Sequence, residues 1–239
     1  MLQCNGIVLR TIKYGETSVI SDIFTEEKGL LTFIGGSVRT ARARMPFNLF
    51  QAMTVVDLVA YYKENHQGMH RLKELRAAEI YQSIPFDVRR GAVALFMAEV
   101  CRKCIHEGET NPELFAFIRE YLLTLDRTSE PIANLHLHFL VHLGTHLGFQ
   151  PEDRTENNTF LDLKEGAYVP QKPPGPHLDL EESRQFAFFQ EIDVSACHQL
   201  KLSQKERKDL LLGLLRFYQL HVPGFEGVNT PEVLNMVLG

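Results

Sequence analysis

Tryptophan is absent from the 239-residue chain and cysteine is scarce, with Cys4, Cys101, Cys104 and Cys197 the whole complement. Without tryptophan, stacking of a base falls to the rings of tyrosine and phenylalanine or to the guanidinium plane of arginine. No run approaches the ~18 consecutive apolar residues of a membrane-spanning helix. The leucine-rich stretch Leu210–Leu215 is interrupted by Gly213 and closed by Arg216, so no membrane partner is expected. Met1–Arg10 lacks the basic start and apolar block of an export signal. The four thiols therefore read as reduced side chains of a cytoplasmic protein rather than a disulfide framework. Catalytic signatures are missing as well. Gly35-Gly36-Ser37 is the one glycine-rich phosphate-cradle candidate, and it lacks the lysine and spacing of a P-loop; no G-x-S-x-G occurs. No Cys, Ser or carboxylate pair has the local company of a nucleophile or an acid/base couple, so neither an enzyme nor a cofactor is expected.

What is present is the mix of a folded protein, 44% hydrophobic and 23% charged, with room for one or two domains. The net charge of −5 is unevenly spread. Residues 1–80 hold ten Lys/Arg against eight Asp/Glu, and residues 81–239 hold fifteen against twenty-two. Within the first part, residues 28–76 carry eight basic and three acidic side chains. A positive region joined to an acidic remainder points toward an anionic partner.

Two textures follow one another. Up to about residue 80, short β-rich runs alternate with turns: Gly6–Tyr14, Thr17–Thr25, Leu30–Ile34, Gln51–Tyr62 and Met69–Ala78. In the fourth run Met53, Val55, Val59 and Tyr61 share one side of the pleat. Five strands in a segment of this size predict a small barrel, with the five-stranded OB-fold as the size-matched example. From Ser83 the period becomes helical. Leu114, Phe117, Ile118, Tyr121, Leu122 and Leu125 form one face, started by Asn111 and Pro112; Val93, Met97, Val100 and Cys104 form another. Pro131–Leu147 predicts a third helix, Ser203…Glu206 a capping box opening a fourth, and Thr230-Pro231 the start of a last short one. Gly148–Leu180 interrupts the series, with two short strands expected within Thr159–Val169. The fold class is thus α+β, with a barrel domain at 1–80 and a helical domain at 81–239 carrying a small hairpin insertion at about 149–180.

Three constellations could carry chemistry. Cys101 and Cys104, with His106 nearby, lie on the apolar face of a helix and have no second Cys pair, so they read as core thiols. His138, His142 and His146 fall at i, i+4 and i+8, with His136 beside them, but lack the glutamate of an H-E-x-x-H site. They read as exposed or capped histidines beside a leucine stripe; a metal-dependent enzyme built on them stays open as an alternative. The strongest signal is Ser37–Arg44, SVRTARAR, with Arg39, Arg42 and Arg44 in the connection between the third and fourth strands. Guanidinium forks suit phosphate oxygens, and a mobile basic loop beside a small barrel is one way OB-folds hold single strands. Arg10, Lys13, Lys63, Arg71 and Lys73 are the supporting cations, and Tyr14, Phe24, Phe33, Phe47, Tyr61 and Tyr62 the aromatic candidates.

Several of these segments carry a resemblance. Gly6-Ile7-Val8-Leu9-Arg10-Thr11, Tyr14-Gly15-Glu16-Thr17, Phe24–Leu30 and the Arg39–Arg44 loop resemble the opening of the RecO family of bacterial DNA repair proteins. The ending, Leu214–His221, Pro223-Gly224-Phe225 and Thr230–Leu234, is similar to the same family, so the likeness spans the chain. It implies an OB-fold followed by a helical domain acting as a recombination mediator. Such a protein binds single- and double-stranded DNA, anneals strands, contacts the acidic C-terminal tail of single-stranded-DNA-binding protein, and works with RecR to help load RecA. The basic loop of the family maps onto Arg39, Arg42 and Arg44, and Arg216, beside Phe217 and Tyr218, is the candidate for the partner tail. Many relatives carry a four-cysteine zinc site in the insertion; Gly148–Leu180 has no cysteine, so no metal is expected there. A protein–protein adaptor without direct DNA binding is the alternative function.

Overall fold

A computed structural model describes residues 1–40, 43–64, 68–152, 154–155, 157 and 159–238. It divides into two compact units, Met1–Gln82 with Met97–Leu123, and Ser83–Phe96 with Thr124–Gly239. The change from strand to helix near residue 80 and the division by packing are therefore different lines: the barrel unit takes in a later segment of helix.

In the first unit, five strands close into a barrel: β1 (Leu2–Tyr14), β2 (Ser18–Thr25), β3 (Gly29–Gly35), β4 (Val55–Tyr61) and β5 (His70–Ala77). The order around the barrel is β1-β2-β3-β5-β4, returning to β1. Its neighbours are antiparallel except β3 and β5, which run parallel at Phe33↔His70 and Ile34↔Arg71. Closure leaves no free sheet edge, and this is the OB-fold type of barrel. Val8, Val19, Ile23, Phe33, Val56, Leu58, Ala60, Leu72 and Leu75 fill the interior; each large side chain so buried stabilises by ~1.5–3 kcal/mol. On β4 the interior side is therefore Val56, Leu58 and Ala60, which leaves Val59 and Tyr61 on the outer side. β5 carries a bulge, because Ala60 pairs with Leu72 and Val59 with Glu74, leaving Lys73 between them. The extra residue resets the alternation so that Leu72 and Leu75 both turn inward while Lys73 stays exposed.

The segment Phe24–Leu30 is built for packing. Phe24 is fully buried with Phe115 6.0 Å from it, and Thr25 Oγ1 donates to Gly29 O at 2.8 Å. Gly29 has φ +66°, and a Cβ there would stand 2.1 Å from Glu109 O, so only glycine fits. Asp22 accepts from Thr32 Oγ1 at 2.9 Å and from Arg102 Nε at 2.8 Å.

Helices α1 (Val88–Cys104) and α2 (Pro112–Arg127) are shared between the units; α3 (Leu135–His146), α4 (Leu180–Glu191), α5 (Gln204–His221) and α6 (Pro231–Leu238) belong to the second. Asn111 Oδ1 accepts from Leu114 N at 2.9 Å, the N-cap its position implies. The Ser203…Glu206 box closes in both directions, and a second box, Asp179…Glu182, opens α4, a helix absent from the sequence reading. α3 begins at Leu135 rather than Pro131, and it is buried on nearly all sides. Among the described residues, no helix is long and apolar enough to cross a membrane.

The insertion is a three-stranded sheet, β7-β6-β8, made by β6 (Phe160–Asp162), β7 (Ala167–Val169) and β8 (His177–Leu178). The third strand extends the expected hairpin. Apolar side chains alone do not hold it: Ser183 Oγ accepts from Leu161 N at 3.0 Å, and His221 Nε2 lies 2.8 Å from Leu163 O. Leu178 presses onto α5 at Gly213, where a Cβ would stand 2.3 Å from its side chain.

Candidate nucleic-acid interface

The chain between β3 and β4 is pinned to the barrel rather than hanging free of it. Val38 and Met45 are buried in the barrel core, and Arg39 N donates to Thr17 O in the β1–β2 turn at 3.1 Å. Between these anchors Arg39 and Arg44 are exposed; Arg42 lies outside the described residues. On the neighbouring strands, Tyr61 at the end of β4 stands in register with Arg71 of β5, both on the outer face.

These elements enclose an open trough of about 810 Å³ lined by Gly36, Ser37, Ala43, Arg44, Met45, Tyr61, Arg71, Leu72 and Lys73. Its floor is apolar, because Met45 and Leu72 belong to the core, and its rim carries three cations. A second recess of about 320 Å³ shares Arg44, Met45 and Lys73 and continues past Glu74, Leu75 and Arg76. A third, of about 400 Å³, shares Glu74 and Arg76 and reaches Asp57, Cys4 and Asn5. The furrow therefore runs from a cationic end to a mixed one. Glu74 sits at the transition, 3.8 Å from Lys73 and 3.5 Å from Arg76. Among the described residues, Arg39, Arg44 and Arg71 have no ion-pair partner, so their charge is available to a ligand.

The sequence-derived cations do not all converge. Arg44, Arg71 and Lys73 meet in the trough. Arg39 is tied to the β1–β2 turn, Arg10 and Lys13 are exposed along β1, and Lys63 is exposed after β4; none of these lines it. Of the aromatic candidates, Phe24 and Phe33 are fully buried and Tyr62 packs 4.9 Å from the His70 ring. Tyr14, Phe47 and Tyr61 are exposed, and of these Tyr61 lines the trough. Strand alternation carries that assignment once the inner side of β4 is known; the bulge at Lys73 has no sequence signal.

The other constellations serve the fold. Burial pushes the Cys101 and Cys104 thiols well above the ordinary range and raises Cys4 to about 12, so none is a thiolate nucleophile near neutral pH. His136 is buried with its Nδ1 unpaired among the described residues, against the expectation of exposed or capped rings, whereas His138, also buried, has its ring nitrogen on a carbonyl. His138 Nε2 is 3.1 Å from Ile192 O and His142 Nε2 is 2.8 Å from Phe189 O. A carbonyl can only accept, so both rings carry Nε2–H and cap the last carbonyls of α4. Burial, with the neighbouring Arg207 charge, pushes His136 down to about 3; burial, with His142, pushes His138 down to about 4. Among the described residues, no group of three His, Cys, Asp or Glu gathers to hold a metal.

Arg216 is exposed on α5, with Nη1 3.0 Å from Gln219 Oε1. Phe217 and Tyr218, its expected apolar companions, are buried, since helical spacing turns them inward; Tyr218 donates to Leu140 O at 2.7 Å. The residues sharing the face of Arg216 are Lys205, Asp209 and Leu212, at helical spacing, with Lys208 at its edge and Leu212 52% exposed.

Comparison with known proteins places the chain. The family model described as recombination protein O N terminal matches residues 1–81, and the one described as recombination protein O C terminal matches residues 85–227. A protein of Christiangramia forsetii called DNA repair protein RecO is 32% identical over 248 residues, covering all of both chains. Proteins of the same name from Phocaeicola vulgatus and Bacteroides fragilis are each 29% identical over 232 residues, covering 96% of this chain and 95% and 96% of theirs. The match over both halves, on a closed five-stranded barrel followed by helices, makes the chain a member of the recombination protein O (RecO) family.

Proposed function

We propose that the chain is a DNA-binding recombination mediator in DNA repair that acts in the cytoplasm without catalytic turnover. The observation that carries this reading is the convergence of Arg44, Arg71 and Lys73 on one open trough with an apolar floor. Phosphates sit on the three cations, and release of condensed counterions drives binding to single and double strands. Arg39, Arg42, Arg10, Lys13 and Lys63 extend the positive field to strands approaching the barrel. A strand held this way has part of its charge screened, so a complementary strand meets less repulsion and anneals. RecR, and RecA through it, are the partners the family implies. The acidic tail of single-stranded-DNA-binding protein is assigned to the α5 face, where Lys205, Lys208 and Arg216 outnumber Asp209 around Leu212 and supply both charge and an apolar contact.

The test is a titration with single-stranded and duplex DNA over a range of salt, comparing the native chain with Arg44→Ala/Arg71→Ala/Lys73→Ala. Loss of three phosphate contacts flattens the logarithmic salt slope by about 2.7 on duplex and about 2 on single strands. An unchanged slope removes the trough from DNA binding. No salt-sensitive binding by the native chain favours the alternative, an adaptor that binds only proteins.

A further inference from the structure

We infer that Tyr61 is a stacking platform for an unpaired base, which makes the trough selective for single strands; the inference rests on the trough being the DNA site. Tyr61 is 56% exposed, at the end of a strand whose inward side is fully occupied by Val56, Leu58 and Ala60. Among the described residues its ring has no aromatic, cationic or hydrogen-bonding partner, unlike Tyr62, which packs on His70 and lies under Lys28. It therefore contributes nothing to the barrel core that would account for a large aromatic at this position. What surrounds it is a nucleotide's chemistry laid out in space. Arg71 stands directly across the strand pair, Arg44 and Lys73 complete the rim, and Met45 and Leu72 form the floor. A phosphate on the rim places the attached base toward the ring and the apolar floor.

The volume of about 810 Å³ lies in the range of sites that hold small organic ligands, roughly 300–1,000 Å³. Every base has a π-face, so stacking on tyrosine is tolerant of sequence. In a duplex both faces of an internal base are covered by its neighbours, and exposing one requires unstacking that costs a few kcal/mol. The cations serve either form of DNA; the ring serves only the single strand.

The experiment uses the full chain, with an oligo(dT) strand, the same strand carrying abasic sites, and a blunt duplex as probes. Tyr61→Ala is expected to weaken oligo(dT) binding about 5- to 150-fold, the equivalent of ~1–3 kcal/mol. Its salt slope stays that of the native chain, its affinity for the abasic strand changes less than about two-fold, and the ratio of single-strand to duplex affinity falls. Tyr61→Phe keeps the ring and recovers most of the loss. Because the chain has no tryptophan, Tyr61→Trp supplies a unique fluorophore, and oligo(dT) is expected to quench it. Wild-type oligo(dT) affinity in Tyr61→Ala, or equal losses on normal and abasic strands, overturns the inference. If Arg44→Ala/Arg71→Ala lowers the salt slope while Tyr61→Ala changes nothing, stacking alone fails. If that slope stays unchanged, the DNA site itself fails.

Discussion

The two units use their conspicuous polar residues in opposite ways. In the barrel unit, Arg39, Arg44 and Arg71 stand exposed and, among the described residues, without ion-pair partners, while the barrel interior is filled by apolar side chains. In the helical unit, His136 and His138 are buried, and His138 and His142 face carbonyls at the end of α4. A histidine row invites a metal or an acid/base reading, yet His138 and His142 are engaged with carbonyls at the end of α4, and His136 is buried with its Nδ1 unpaired among the described residues. Arg39 and Arg44 invite the bland reading of solvated charge, yet their neighbours Val38 and Met45 are buried in the barrel core and Arg44 lines an open trough. The separating criterion is whether a polar group's partner is inside the protein. At His138 and His142 the ring nitrogen is consumed by the fold; at Arg44 and Arg71 the guanidinium is left for a ligand.

That contrast can be broken first by acid. The His136 and His138 rings are neutral in the fold, while in the unfolded chain they take protons near the ordinary histidine value. Their contribution is complete above about pH 6.5 and is lost as pH falls from there toward about 4 and 3. By pH 5 the loss amounts to up to about 2 kcal/mol for each ring. Thermal melting across this range reads it, and His138→Gln removes one ring's share of the slope. An unaltered slope would mean that the ring is not held neutral by burial. Next in size, Gly213→Val sets a side chain against Leu178 and should cost about 3 kcal/mol of stability, a drop of roughly 6–12 °C in Tm. A wild-type melting point would show that the insertion does not dock on α5 as described.

Local signals were legible in the sequence where one segment decides its own structure. The Ser203…Glu206 box and the Asn111-Pro112 start form where their chemistry placed them, and all five β-rich runs form strands, though β1 begins at Leu2 and β4 only at Val55. The Asp179…Glu182 box was equally present as a pattern, but it follows the proline-rich Pro170–Pro176 stretch and opens a helix with few apolar positions. Legibility failed where distant segments meet. The parallel β3–β5 pairing that closes the barrel has no local signature, and it brings Arg71 and Lys73 to Arg44. Of Met53, Val55, Val59 and Tyr61, the last three share a side of β4, while Met53 precedes the strand at φ +65°, where alternation does not apply. Which side faces the core depends on the opposing strands, and that choice sends Tyr61 outward. Adjacency in sequence did not separate Arg39 from Arg44; of these two, Arg44 lines the trough.

The most direct test removes the same charge from each unit. Arg44→Ala/Arg71→Ala/Lys73→Ala and Lys205→Ala/Lys208→Ala/Arg216→Ala each delete three exposed cations, and each is expected to change stability by less than about 0.5 kcal/mol per site. The salt dependence of duplex DNA binding is then measured for both. The account predicts that the barrel variant loses about 2.7 from the logarithmic slope while the α5 variant keeps the native value. Equal losses in the two, or a loss confined to the α5 variant, would contradict it.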